Sequence, residues 1–239
     1  MYTNFKGKVI KTTKVSNSLC MLEIRLIEPT EINFNAGQFL SIEIPSFGLR
    51  SYSISSKDTQ KNIIEITYDP RDQSLGGAGV KYLNSLGIDD LINFRGPFGV
   101  FTLVNTKALE FDGQIIWAAT GSGISPIKSM IESYNLLRSN KNILYFGIRE
   151  SGDIAYKDFF EYIKTINSNF EYHFCLSKDS SWNGKQGYIT KYILDESMDI
   201  DRSHIKLFIC GKTTTVQNIY NTLLLNKFDT SNLHFENFG

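Results

Sequence analysis

Cysteine is scarce in this 239-residue chain: Cys20, Cys175 and Cys210 stand far apart, and no C-x-x-C occurs. A self-contained iron–sulfur or zinc centre usually takes four thiolates, or thiolates with histidines, so cysteines of this number and spacing exclude one. Histidine is as rare, and His173, His204 and His234 have no ligand spacing to one another. A disulfide framework is equally unsupported, which makes a reducing, cytoplasmic setting the default expectation. An excess of one charge is also missing. Lys+Arg 25 against Asp+Glu 25 gives a formal net charge of +0, so no overall basic field exists to hold nucleic acid or an anionic membrane. The amino-terminal MYTNFKGKVI contains no long apolar run, so neither a signal peptide nor membrane insertion is expected.

What the chain does have is core material, 41% hydrophobic residues, enough for two modest domains. Its patterning changes near residue 105. Before that point, β-rich alternating segments run over Phe5–Val15, Met21–Leu26, Phe39–Ile44, Ser51–Ser55, Ile63–Tyr68 and Leu91–Arg95, with one short helix at Val80–Leu86 closed by Gly87. This predicts an antiparallel β-barrel. After it, strands at Gln114–Ala119, Asn142–Phe146, Tyr172–Leu176, Ile205–Ile209 and Leu233–Glu236 alternate with helices, of which Pro126–Arg138, Tyr156–Ile166 and Thr214–Asn226 are the longest. That alternation predicts an α/β domain with a parallel five-stranded sheet. The expected division is residues 1–105 and 106–239, with Thr106–Gly113 as hinge.

The segment A-A-T-G-S-G-I-S-P follows a buried strand and opens a helix. Gly121 and Gly123 permit a sharp turn and a close ligand approach, and Pro126 suits the first helical position. The free N–H groups of the helix start can hold a phosphate. Because Pro126 stands where G-x-G-x-x-G would have its third glycine, the spacing alone equally allows a tight turn with no ligand. A second apolar strand ends in Cys210-Gly211. If the first and fourth strands of this half are neighbours, that end faces Thr120–Gly123 across the crevice where ligands bind in open parallel sheets. Cys210 can equally be an inert buried thiol. In the first half, Arg50-Ser51-Tyr52-Ser53 offers a phosphate-fitting fork, a flat ring and a small hydroxyl, a set that an ordinary half-buried strand also shows.

Taken in order, R-S-Y-S, G-P-F-G-V-F, T-G-S-G-I-S-P, C-G and the terminal E-N-F-G resemble the ferredoxin–NADP reductase superfamily, along nearly the whole chain. The resemblance implies FAD held by Arg50 at the pyrophosphate, Tyr52 on the isoalloxazine and Ser53 near N5. It also implies a second flavin loop in which Gly77, Gly79, Val80 and Lys81 offer backbone N–H groups. Val80 replaces the family's usual Ser or Thr. Thr120, Gly121, Ser122, Gly123 and Pro126 match the pyridine-nucleotide loop. Cys210 and Gly211 match the segment beside the nicotinamide, with Lys212 in place of its proline. Glu236 and Phe238 match the terminal acidic–aromatic pair, which gives Ser53, Cys210 and Glu236 as catalytic residues. For NADPH or NADH as donor, Arg149, Ser177 and Lys178 favour a 2′-phosphate and Asp179 opposes it. The chain has neither the cysteines nor the length for a fused iron–sulfur domain. The resemblance therefore implies a ferredoxin, an oxygenase component or free flavin as electron acceptor. A flavin relay subunit that does not bind nicotinamide ranks last, because the dihydroorotate dehydrogenase relative of that kind carries a cysteine cluster which the tail after Cys210 lacks.

Overall fold

The computed structural model describes residues 2–72, 74–138, 140–198 and 200–238, without the side chains of residues 74 and 75. Gly239 of the terminal motif lies outside the described residues. In the first half, β1 (Thr3–Lys14), β2 (Cys20–Glu28), β3 (Phe39–Ile44), β4 (Gly48–Ser53), β5 (Ile63–Tyr68) and β6 (Leu91–Phe98) form one antiparallel sheet in the order β4-β3-β6-β1-β2-β5. Strand alternation turns one face inward, as with Leu40, Ile42 and Ile44 on β3, onto a core shared with Val9, Ile24, Ile64, Ile66 and Phe94. The sheet curls until its two edges meet at the bridge between Ile54 and Ile66, which makes it a half-barrel rather than a flat sheet. Helix α1 (Ala78–Ser85) drops Val80 and Leu83 into the same core.

The second half is a parallel sheet of β7 (Gln114–Thr120), β8 (Asn142–Ile148), β9 (Phe170–Leu176), β10 (Lys185–Gln186), β11 (Ile205–Lys212) and β12 (Leu233–Phe238), ordered β10-β9-β8-β7-β11-β12. Five of these strands are the expected ones. The sixth, β10, has two residues, too few to leave a periodic signal in sequence. Helices α2 (Ile124–Leu137) and α3 (Lys157–Ile166) cover one face through Ile127, Met130, Ile131, Phe160 and Ile163. On the other face lie α4 (Ile189–Glu196) and α5 (Thr213–Leu225), with Ile189, Ile193, Val216, Ile219 and Leu223. The central strand β7 is buried on both faces up to Thr120, as parallel strands between helix layers are. Strand order reverses at β7, with β8 on one side and β11 on the other.

Several local expectations are corrected. Helix α1 begins at Ala78 and ends with Leu86 extended at its C-cap, so Gly87 does not close it; the Gly87 N–H donates to Asp90 instead, at 2.7 Å. Helix α2 begins at Ile124 after a 3₁₀ turn over Gly121–Gly123, which moves Pro126 to the third helical position. Its missing N–H still costs nothing there, because the first four N–H groups of a helix have no intrahelical partner. Strand β4 stops at Ser53 rather than continuing to Ser55, which is fully buried. The segment Thr106–Gly113 is bonded to the second half near both ends, Lys206 Nζ donating to Thr106 O at 2.6 Å and Asn140 Nδ2 to Asp112 O at 2.8 Å. No helix among the described residues is long and apolar enough to cross a membrane.

Candidate active site

The carboxyl ends of β7 and β11 lie side by side, Cys210 pairing with Ala119. Their turns pack backbone against backbone. A Cβ on Gly123 would lie 2.2 Å from the Cys210 carbonyl oxygen, and one on Gly211 would lie 2.1 Å from Thr120 Oγ1. These two glycines are required by contact. Gly121 is required by conformation, with φ +54° and open space where its Cβ would be. Ser122 lies in the same turn and is half-buried.

Strand β12 pairs with β11 so that Glu236 stands beside Cys210. Burial raises the Glu236 carboxyl to about 7, against the nearby Ser53 side chain, which pulls it down. Its Oε2 has no hydrogen-bond partner among the described residues. Ser53 ends β4 in the other half of the molecule, so this contact bridges the halves. The loop after β6 joins them: a Cβ on Gly99 would lie 3.7 Å from Glu236 Oε1. From the nucleotide side, Ser125 Oγ donates to Ser53 O at 2.8 Å. Cys210 itself is buried, and burial, with Glu236 adding to it, holds its thiol well above the ordinary range. A neutral thiol of that kind packs and does not attack. Phe238 ends β12 beside Lys212, half-buried against the core that contains Cys210.

Arg50 and Tyr52 face α1 rather than this cluster. A Cβ on Gly79 would lie 2.4 Å from the Tyr52 hydroxyl and 3.2 Å from Arg50 Cγ, so only glycine lets the helix close on that ring. Burial pushes the Tyr52 phenol up to about 12. The Arg50 guanidinium donates to the carbonyls of Phe47 and Leu49, at 3.2 and 2.8 Å. Gly77, at the N-cap of α1, has φ 67°. Val80 faces the barrel core, which explains why a hydroxyl is not needed there for packing and leaves only its N–H for a ligand. Lys81 lines a hollow of about 360 Å³ between α1 and the β3–β4 turn, with Ile44, Phe47, Gly76 and Tyr82.

Arg149, Ser177 and Lys178 are exposed together after β8 and β9, joined by Ser177 N–H to Ile148 O and Lys178 N–H to Arg149 O. They are not part of the Ser53–Glu236 cluster but lie further along the same edge of the sheet. Asp179 beside them accepts from Ser151 and Ser181, hydrogen bonds that hold its carboxyl below the ordinary range.

Sequence reasoning missed Lys128, buried on α2, and assigned no role to Gly99 within G-P-F-G-V-F. The first had a signal: Ser125, Lys128, Ser129, Glu132 and Ser133 form a second stripe at helical spacing, beside the apolar one.

Residues 6–103 match the family model of the oxidoreductase FAD-binding domain, and residues 118–220 that of the oxidoreductase NAD-binding domain. The chain belongs to the ferredoxin–NADP reductase superfamily. It is a flavoprotein oxidoreductase, and FAD and NAD(P)H are the cofactors of its two domains. Among its relatives, the phenol hydroxylase P5 protein of Acinetobacter pittii is 26% identical over 98% of this chain and 65% of its own length. The toluate 1,2-dioxygenase electron transfer component of Pseudomonas putida is 24% identical over 98% of this chain and 68% of its own. The chain thus spans about two thirds of the length of these curated relatives. The structure of the Amycolatopsis cytochrome P450 reductase GcoB superposes with a TM-score of 0.88 at 19% identity, over 99% of this chain and 70% of that one. A ferredoxin NADP+ reductase from Neisseria gonorrhoeae gives 0.80 at 17% identity, over 99% and 98%. At such identities these superpositions establish the shared fold.

The residues of this reductase fit both groups. Helix α1 and the 3₁₀ turn over Gly121–Gly123 that leads into α2 both begin without a side-chain cap, leaving N–H groups and positive dipole ends for phosphates. Gly121 leaves open space where its Cβ would be, and Glu236 Oε2 is buried with no hydrogen-bond partner among the described residues.

Proposed function

We propose that this chain takes hydride from NADPH or NADH and passes the electrons to a separate redox protein, a ferredoxin or an oxygenase component. The observation that carries this reading is the buried Glu236 carboxyl. It is paired in register with Cys210 beside the Gly123 turn, and Ser53 from the barrel and the Gly99 loop lie against it, so both cofactor-binding halves converge on one polar group. The division of labour places the flavin on residues 1–105 and the nicotinamide dinucleotide on 106–239. The anchoring of Thr106 by Lys206 supports that boundary.

A bound flavin would supply hydride acceptance and one-electron delivery, to which the protein contributes position and polarity. Arg50 and the α1 start, through Gly77, Gly79, Val80 and Lys81, hold the flavin pyrophosphate, and Tyr52 offers its ring face. Thr120, Gly121, Ser122, Gly123 and Pro126 cradle the dinucleotide phosphates. Cys210 and Gly211 form a flat, backbone-lined wall, and Phe238 covers the site from the end of β12. Glu236, titrating near 7, holds or releases a proton at neutral pH next to the Ser53 hydroxyl. Arg149, Ser177 and Lys178 contact the far ribose. Orientation of this kind contributes about 7–11 kcal/mol toward a hydride-transfer barrier.

The test is anaerobic titration of the purified yellow protein with NADH and with NADPH, followed by acceptor proteins. Bleaching by one nucleotide and reduction of a ferredoxin or oxygenase component are expected. Turnover only with free flavin in excess would replace the acceptor, and indifference to both nucleotides would end the proposal.

A further inference from the structure

We propose that Lys128 and the serines flanking it on α2 are positioning residues, setting the distance between the nucleotide turn and the strand end that carries Tyr52 and Ser53. Five polar residues of α2, at positions 125, 128, 129, 132 and 133, fall on one helical face. Each reaches the segment that leaves the R-S-Y-S strand. Ser125 Oγ donates to Ser53 O at 2.8 Å, Lys128 Nζ to Ser55 O at 3.0 Å, and Ser129 Oγ to Ser56 O at 2.6 Å. Ser133 Oγ donates to Asp58 Oδ1 at 3.0 Å, and Glu132 lies 3.5 Å from Lys57 Nζ. One rigid helix whose first turn adjoins Gly123 is therefore bonded along its length to the segment from Ser53 to Asp58, through three carbonyls and two side chains.

Lys128 is the centre of this register. It is 6% exposed, yet it is a cation. Its Nζ is also 3.0 Å from Glu65 Oε2 on β5 and lies over the rings of Phe159 and Tyr156, at 4.7 and 5.4 Å. Tyr156 in turn shares a 2.5 Å hydrogen bond with Thr67, next to Ser55. A buried ion pair of this kind is weak evidence for stability, because desolvation offsets its attraction. Its better attested use is to specify one arrangement among several similar ones. An apolar helix face could slide on the barrel by a fraction of a turn; fixed donors meeting successive carbonyls cannot. Hydride transfer is sensitive to misplacement on that scale, about a hundredfold for 1 Å.

The inference rests on the reductase reading. Lys128→Met and the paired Lys128→Met/Glu65→Met are compared with the native flavoprotein. The pair leaves no unpaired buried charge, so it keeps the fold if the single variant does not. Expected for the pair are undiminished flavin content, KM for the nicotinamide nucleotide within about twofold, and hydride transfer to flavin slowed on the order of tenfold. Amide hydrogen exchange over residues 53–58 should rise. That readout does not depend on activity. Native transfer rates and native exchange in the folded pair would overturn the positioning role while leaving the reductase reading intact. A native protein that neither nucleotide reduces would overturn both.

Discussion

Gly123 and Cys210 touch through their backbones, the space for a Cβ on the glycine ending 2.2 Å from the cysteine carbonyl oxygen. The contact joins two segments nearly ninety residues apart in the chain, and it leaves no room for adjustment because the obstructing atoms are backbone.

Gly123→Ala therefore forces the nucleotide turn away from β11. Overpacking of this kind costs about 1–3 kcal/mol. The expected outcome is native flavin content with reduction by NADPH or NADH slowed at least about tenfold, measured by anaerobic stopped-flow absorbance. Unchanged reduction rates would show that the wall formed by Cys210 is not used.

Gly79→Ala should act on the other cofactor. The new methyl meets the Tyr52 hydroxyl and the Arg50 side chain, displacing the ring proposed to stack on the flavin. A lost aromatic contact of about 1 kcal/mol or slightly more corresponds to a roughly tenfold weaker flavin Kd, read by fluorescence on reconstitution. Flavin binding at native strength would remove Tyr52 from that role.

Glu236 gives a pH signature. Its carboxyl is raised by burial from 4.5 to about 7, so the folded protein binds the proton more tightly than the unfolded chain. The stability this contributes is complete below 4.5 and is lost as pH rises through about 7. Glu236→Gln should abolish that decline, worth about 3 kcal/mol at most, in thermal midpoints measured across the window. A parallel decline in both proteins would place the titration elsewhere.

His234 works in the opposite direction. Burial, with Lys206 adding to it, lowers its imidazole from 6.5 to about 4, against Phe208 at 5.3 Å between ring centroids. Its contribution is complete above 6.5 and lost as pH falls through about 4. His234→Phe should lessen the loss of stability on acidification over that range, followed by chemical denaturation at fixed pH values. An identical acid profile would exclude His234 as a source.

Leu40, Ile42 and Ile44 announced β3 by alternation, and the wholly apolar run over residues 115–119 announced a central parallel strand, because local period reports which faces are buried. Ser55 was misplaced on β4 because the bend after Ser53 is imposed by the Ile54–Ile66 bridge and by Ser125, partners that no local window contains. The cap expected at Gly87 failed for a similar reason, Asp90 taking its N–H.

The two kinds of sheet, the glycine turns and the types of residue offered to each cofactor follow from the order of amino acids alone, since these depend on period and on the conformational freedom of single residues. Long-range closure set the rest: Ser53 beside Glu236, Val80 turned to the core, and Lys128 buried between the halves. Those outcomes depend on which surfaces meet when distant segments close on one another, and a buried charge is tolerable only where such closure supplies its partners.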